Sequence, residues 1–307
     1  MRRTLGLVSA LTSALLVGLV SPATAAGHAT RALPAHGSSA SHGGGSVQVG
    51  GSVTTPTTLT AAQIGALPQA TLPLQGLRGE VGSVSGASVL DVLAPAGPVF
   101  GTGKNAFLRA FVTVARAHGP SVTFAYGELD PGFGNHPALL TVNRSRVDLV
   151  VPGDRTRLRS VLDVTSVTLA LSLAPVATPA AGSVQVTDGR RTVTLSASLL
   201  RRLPSSTVTV TFQAGSTPQT HTETGPSLAV VELAAGFLPA PNTVVTAVGS
   251  DGYAVNVTNG EDFFGGRPLL VSLAEDGAAL AQPRLVVDGD VKGGRYVSLL
   301  VNLALTR

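Results

Sequence analysis

The chain has 307 residues with no cysteine and no tryptophan, and 44% of it is hydrophobic against 12% charged, so its cores are aliphatic and rest on packing without disulfides. The formal net charge is +4, two of the positive charges lie at the extreme N-terminus, and the other basic residues are scattered apart from Arg155, Arg157 and Arg159. With no contiguous basic stripe and no interleaved aromatics, a nucleic-acid partner is excluded.

Arg2 and Arg3 precede an uncharged stretch from Leu5 to Val20, and Ala23-Thr24-Ala25 follows as a small-residue cleavage site. Residues 1–26 therefore read as a secretory signal peptide of bacterial kind, and the protein is expected to be secreted or extracytoplasmic. The apolar run falls short of the ~20 residues that a span needs, and no second run follows, so no stable membrane insertion is expected. Residues 27–45 are mainly Gly, Ser, Ala and His and bury too little apolar surface to offset the entropy of ordering, which reads as a disordered tail. Its histidines, His28, His36 and His42, have no ligand spacing.

The pentapeptide Gly45-Ser46-Val47-Gln48-Val49 returns at Gly182-Ser183-Val184-Gln185-Val186. Leu59-Thr60-Ala61 is answered by Leu195-Ser196-Ala197, Leu67-Pro68 by Leu203-Pro204, and Val150-Val151-Pro152-Gly153-Asp154 by Val286-Val287-Asp288-Gly289-Asp290. Anchors in one order over so long a period mark an internal duplication, because solenoid repeats run only to about 50 residues. The expected organisation is two similar domains, 46–172 and 182–307, joined by a Pro- and Ala-rich linker at 173–181 that offers few residues able to pack across the boundary.

Within the first repeat, Thr60 and Ser88 are plausible caps for short helices at 60–67 and 88–93. Strands are expected at 110–114, 122–124, 139–142, 147–151 and 161–169, where β-branched and aliphatic residues run between Gly, Pro, Asn and Asp breakers. The second repeat gives helices from Ser196 and Ser227 and strands at 192–195, 207–212, 253–257 and 297–303. Each repeat is thus a strand-rich α+β unit.

Several constellations carry little chemistry. His118, His136 and His221 lack a second ligand at helical spacing, which argues against zinc. Gly101-Thr102-Gly103-Lys104-Asn105 lacks the flanking residues of a nucleotide loop and reads as a surface loop. Gly82-Ser83-Val84-Ser85-Gly86 places no serine at the centre of a nucleophile elbow. The loop Asp130 to Pro137 and its counterpart Asp262 to Pro268 mix polar and aromatic residues in a way that suits either a pocket wall or a structural turn.

The stretch from Arg284 through Asp290 to Lys292-Gly293-Gly294-Arg295 and Tyr296-Val297-Ser298, preceded by Gly249-Ser250-Asp251-Gly252-Tyr253 and Arg267-Pro268, resembles the molybdopterin-binding domain of sulfite-oxidase type. That resemblance spans the second repeat, and the duplication extends it to the first. It implies a pterin cofactor with a phosphate tail, held by Lys292, Gly293, Gly294 and Arg295, where glycines admit an oxyanion close to the backbone and an Arg fork matches it. From chemistry alone the same four residues also read as a tight turn with solvated basic side chains. Members of that family bind molybdenum through a protein thiolate, and this chain has none. The expectation is therefore an exported, non-catalytic ligand-binding or interaction scaffold whose partner is a small anionic ligand or an envelope protein. The alternative is a molybdopterin-dependent oxidoreductase with an atypical active site.

Overall fold

The structure, a computed structural model, describes residues 45–307. The expected signal peptide, and all of the Gly/Ser/His-rich segment but Gly45, lie outside them. The first repeat runs β1 (Ser46–Gly51), β2 (Thr57–Thr60), α1 (Ala61–Ala66), β3 (Gln69–Gly76), β4 (Gly79–Ser88), α2 (Val89–Leu93), β5 (Ala110–Arg116), β6 (Ser121–Ala125), α3 (Tyr126–Leu129), β7 (Leu139–Asn143), β8 (Arg146–Val150) and β9 (Val164–Leu171). The second repeats that order as β10 (Val184–Thr187), β11 (Thr192–Leu195), α4 (Ala197–Leu200), β12 (Ser206–Ala214), β13 (Thr217–Gly225), α5 (Leu228–Ala234), β14 (Val244–Gly249), β15 (Ala254–Thr258), α6 (Asn259–Phe263), β16 (Leu269–Glu275), β17 (Ala278–Val287) and β18 (Leu300–Thr306). The protein is strand-rich α+β, and every element of one repeat has its counterpart in the other.

Sheet topology repeats as well. The order β2-β1-β9-β5-β6 matches β11-β10-β18-β14-β15, and β3-β4-β7-β8 matches β12-β13-β16-β17. In each five-stranded sheet the first strand pairs parallel with the last, Gln48 opposite Ser166 and Gln185 opposite Asn302, while the remaining pairs are antiparallel. Both four-stranded sheets begin with a long hairpin.

Local chemistry explains the helix starts. Thr60 caps α1 with a capping box closed by Gln63, and Ser88, Ser196 and Ser227 each accept from the backbone N–H three residues on. Helices this short draw their stability from packing, and Ile64, Val92, Leu93, Leu200, Leu228 and Val231 are all buried. Each repeat has its own aliphatic core drawn from both of its sheets, including Val47, Val112, Leu149 and Leu169 in one, and Val184, Val245, Leu285 and Leu303 in the other.

The final strands start later than their apolar runs. β9 begins at Val164 and β18 at Leu300, because Asp163 (φ 57°) and Leu299 (φ 53°) adopt left-handed backbone and break the run. The residues just upstream, Val161 and Val297, instead make single bridges to Leu149 and Leu285. The repeats also touch more widely than the linker composition implies. Leu108, in a 3-10 turn of the first repeat, is fully buried in the second repeat's core, with Phe107 and Phe133 packed beside it. Asn256 donates to the Arg109 carbonyl and to Ser172, and Asn242 donates to the Ser121 carbonyl. No helix among the described residues is long and apolar enough to cross a membrane.

Candidate functional site at the junction of the repeats

The four residues expected to cradle an anion do not act as one set. Gly293–Arg295 forms a 3-10 turn, and it turns Arg295 inward until it is fully buried. Its Nε and Nη2 donate to Asp290 at 2.9 and 2.6 Å, and its Nη1 donates to Glu261 at 2.8 Å. With all three nitrogens engaged by carboxylates, the fork is committed to the protein itself. The two glycines also have a packing reason. A Cβ on Gly293 would lie 2.6 Å from the Phe212 ring, and one on Gly294 would collide with the ring of Phe133. Neither glycine is among the positive-φ residues, so close approach of the aromatic rings is what demands them.

Lys292, Gly293 and Gly294 do line a groove of about 450 Å³, together with Phe212 of the same repeat and Lys104, Asn105 and Phe133 of the other. Lys104 and Lys292 are the only lysines in the sequence. No Asp or Glu lines this groove, and neither lysine forms an ion pair among the described residues. The Lys292 ammonium stands 5.9 Å from the centroid of Phe133, within cation–π range. Phe133 packs edge-on against Phe107 at 5.4 Å, and Phe212 packs against Tyr296 at 4.6 Å, which fixes both walls. The rim is tied across the repeats: Asn105 donates to the Tyr253 hydroxyl, and that hydroxyl donates to the Gly294 carbonyl. Asn105 holds a left-handed backbone (φ 53°), a conformation asparagine tolerates better than most residues.

The described residues also hold two buried charged clusters with one plan. Arg159 in the first repeat donates through Nε and Nη2 to Asp154 and through Nη1 to Glu128. Arg295 treats Asp290 and Glu261 in the same way, and the same five-residue spacing separates Asp154 from Arg159 and Asp290 from Arg295. The third member differs: His136 sits 2.9 Å from Asp154, where the second repeat sets Arg267 against Asp290. Both precede a proline at matching loop positions. Burial pushes the Asp154 carboxyl up, but the hydrogen bonds from Arg159 and His136 outweigh it and hold the group low. Burial raises Glu128 to about 7 against the pull of Arg159, and Glu261 of the other repeat adds repulsion. One oxygen of Glu128, Oε2, has no hydrogen-bond partner among the described residues.

These arrangements do not fit a metal-bearing pterin. The sequence offers no thiolate, no cluster of three metal-ligating side chains occurs among the described residues, Arg295 is spent on carboxylates, and aromatic rings cover the loop glycines. What the groove offers instead is two ammonium groups beside apolar ring faces, a setting for an organic anion. Sequence reasoning had found half of it. Phe133 belongs to the Asp130 to Pro137 loop, for which a pocket wall is one of the two sequence readings, whereas Lys104 sits in a loop that reads as plain surface and Phe212 carries no motif. One available signal was that both lysines of a lysine-poor chain fall in loops of opposite repeats.

The remaining histidines found in folded segments stay outside the groove. His221 pairs with Asp276 at 2.9 Å and stacks near Phe212, while His118 lends its carbonyl to the Arg116 side chain.

No model of a known protein family matches the chain, and no curated protein matches it either. Among solved structures, a likeness is found to the sulfane dehydrogenase SoxCD from Paracoccus pantotrophus, with 12% identity and a TM-score of 0.32. It covers 83% of this chain and 65% of that one, so the chain spans about two thirds of the length of the protein it matches.

Proposed function

We propose that the protein is an exported, non-catalytic ligand-binding protein in which the groove between the repeats takes a small organic anion. The observation that carries this reading is that the only two lysines of the chain line one groove from opposite repeats, beside Phe133 and Phe212 and without a lining carboxylate. An unpaired ammonium at the mouth of an apolar cleft gains most from a ligand that brings both a charge and a planar body. Export rests on the N-terminal sequence alone.

The scarcity of lysine gives a direct test. Reductive methylation with 13C-formaldehyde keeps the charge and labels Lys104, Lys292 and the N-terminus, and Lys104→Arg and Lys292→Arg assign the signals. Addition of 2-naphthoate is expected to shift both lysine signals in a salt-sensitive way, while neutral 2-naphthamide shifts them far less. If 2-naphthoate leaves both signals in place, the groove is not an anion site. Stoichiometric pterin or molybdenum in protein purified from a host that makes the molybdenum cofactor would overturn the non-catalytic reading.

A further inference from the structure

Resting on that reading of the groove, we infer that its ligand is an extended anion with two charged ends, one met by Lys292 and the other by Arg109. The groove does not end at Lys104. A second cavity of about 400 Å³ shares Lys104 and Asn105 with it and continues along Arg109, Tyr253 and Asp251. Arg109 lines this second cavity, and its guanidinium makes no ion pair among the described residues, unlike those of Arg159, Arg267, Arg284 and Arg295. Only its backbone carbonyl is used, by Asn256 and by the Ser172 N–H.

The two adjoining cavities thus hold Lys292 in one and Arg109 in the other, with Lys104 lining both and Asp251 as their one lining carboxylate. Asp251 is already turned to the backbone, accepting from the Tyr253 N–H at 3.0 Å. A single anionic group satisfies one end and leaves the other cation unpaired. A rigid ligand with a second carboxylate or phosphate satisfies both, and a guanidinium fork at the far end favours those two groups because it can meet them with paired hydrogen bonds. The junction is shaped by left-handed backbone and one cross-repeat bond. Gly101 and Gly103 have φ of 69° and 112°, Asn105 has 53°, and the Asn105 amide is fastened to Tyr253.

Two probes of one ring size separate this inference from the reading it rests on. Naphthalene-2,6-dicarboxylate and 2-naphthoate differ only by the second carboxylate. By calorimetry on the mature chain, the dicarboxylate is expected to bind about tenfold tighter, and Arg109→Gln is expected to bring that ratio close to one. Arg78→Gln, in the exposed β3–β4 turn, controls for net charge and should leave the ratio unchanged. If 2-naphthoate binds but the dicarboxylate binds no tighter, or if the ratio survives Arg109→Gln, the extended-anion inference falls and the groove reading stands. If neither probe binds, both fall.

Discussion

Arg295 of the second repeat lies so close to Gly127 of the first that a Cβ there would come within 2.7 Å of its Cδ, and Arg159 lies against Gly260 in the mirrored relation, at 3.1 Å. Each repeat thus supplies a Gly-Glu pair whose glycine lets the other repeat's arginine pass and whose glutamate belongs to its own arginine's cluster. Gly127→Ala pushes a methyl into the Arg295 stem and the Leu108 side chain, both fully buried. It is expected to cost about 1–3 kcal/mol, read as a lower urea midpoint at unchanged slope. An unchanged midpoint would mean that the two repeats are less tightly apposed than this contact requires.

Removing the arginine itself should be costlier. Arg295→Met leaves Asp290 and Glu261 buried with one guanidinium fewer, and breaking such a pair from one side costs about 3–5 kcal/mol. Arg295→Lys keeps the charge but cannot donate to both carboxylates in the same geometry, so it too is expected to lower the melting temperature. A merely solvated arginine would tolerate both changes, and a loss below about 0.5 kcal/mol would return Arg295 to the surface.

How much of this was legible in the sequence depends on the range of the interaction. Capping hydroxyls act over three residues, so the starts of the short helices could be read directly from Thr60, Ser88, Ser196 and Ser227. The duplication was legible because its anchors are strings of identical residues. β12 could be read from the alternation Thr207 to Phe212, but β3, β4 and β13 were less legible, since they are largely exposed and mix Thr, Gln, Ser and Gly without a clean apolar alternation. The candidate site was the least legible part. Arg295 and Lys292 look alike in a basic, Gly-rich loop, and only the positions of Asp290 and Glu261 separate the buried one from the exposed one. Likewise, Arg159 is the counterpart of Arg295 even though its loop lacks the paired glycines, because the aspartate five residues earlier is what was kept.

Leu108 ties the second core to the first repeat. Leu108→Ala removes a fully buried side chain and is expected to cost about 2–5 kcal/mol, even though the residue lies far from the second repeat in sequence. By the same reasoning a fragment of residues 182–307, which lacks Leu108, Phe107 and Phe133, is expected to melt below the full chain or without cooperativity. A fragment that melts as cooperatively and at the same temperature as the full chain would show that these contacts add nothing to the second core.

Leu93 and Glu232 hold the same place, five residues past the capping serines Ser88 and Ser227, and both are fully buried. Among the described residues neither carboxylate oxygen of Glu232 has a hydrogen-bond partner of good geometry, and burial raises the group from 4.5 to about 7 against the weaker opposing pull of nearby Asn259 and Arg307. The folded protein therefore binds a proton at Glu232 between those two values that the unfolded chain releases. It follows that stability is greatest below about pH 4.5 as far as this group is concerned, falls as pH rises, and levels off above about pH 7. A shift of this size corresponds to about 3 kcal/mol. Glu128, also raised to about 7, contributes in the same direction, so the wild-type slope alone does not isolate Glu232. The discriminating variant is Glu232→Leu, which installs the side chain that the first repeat already uses. It should stabilise the protein more at about pH 8, where the wild type must bury a charge, than at about pH 4.5, where Glu232 is already neutral. Urea midpoints for both proteins at both pH values check this, and an advantage for the leucine variant that does not change with pH would show that Glu232 is not protonated on folding.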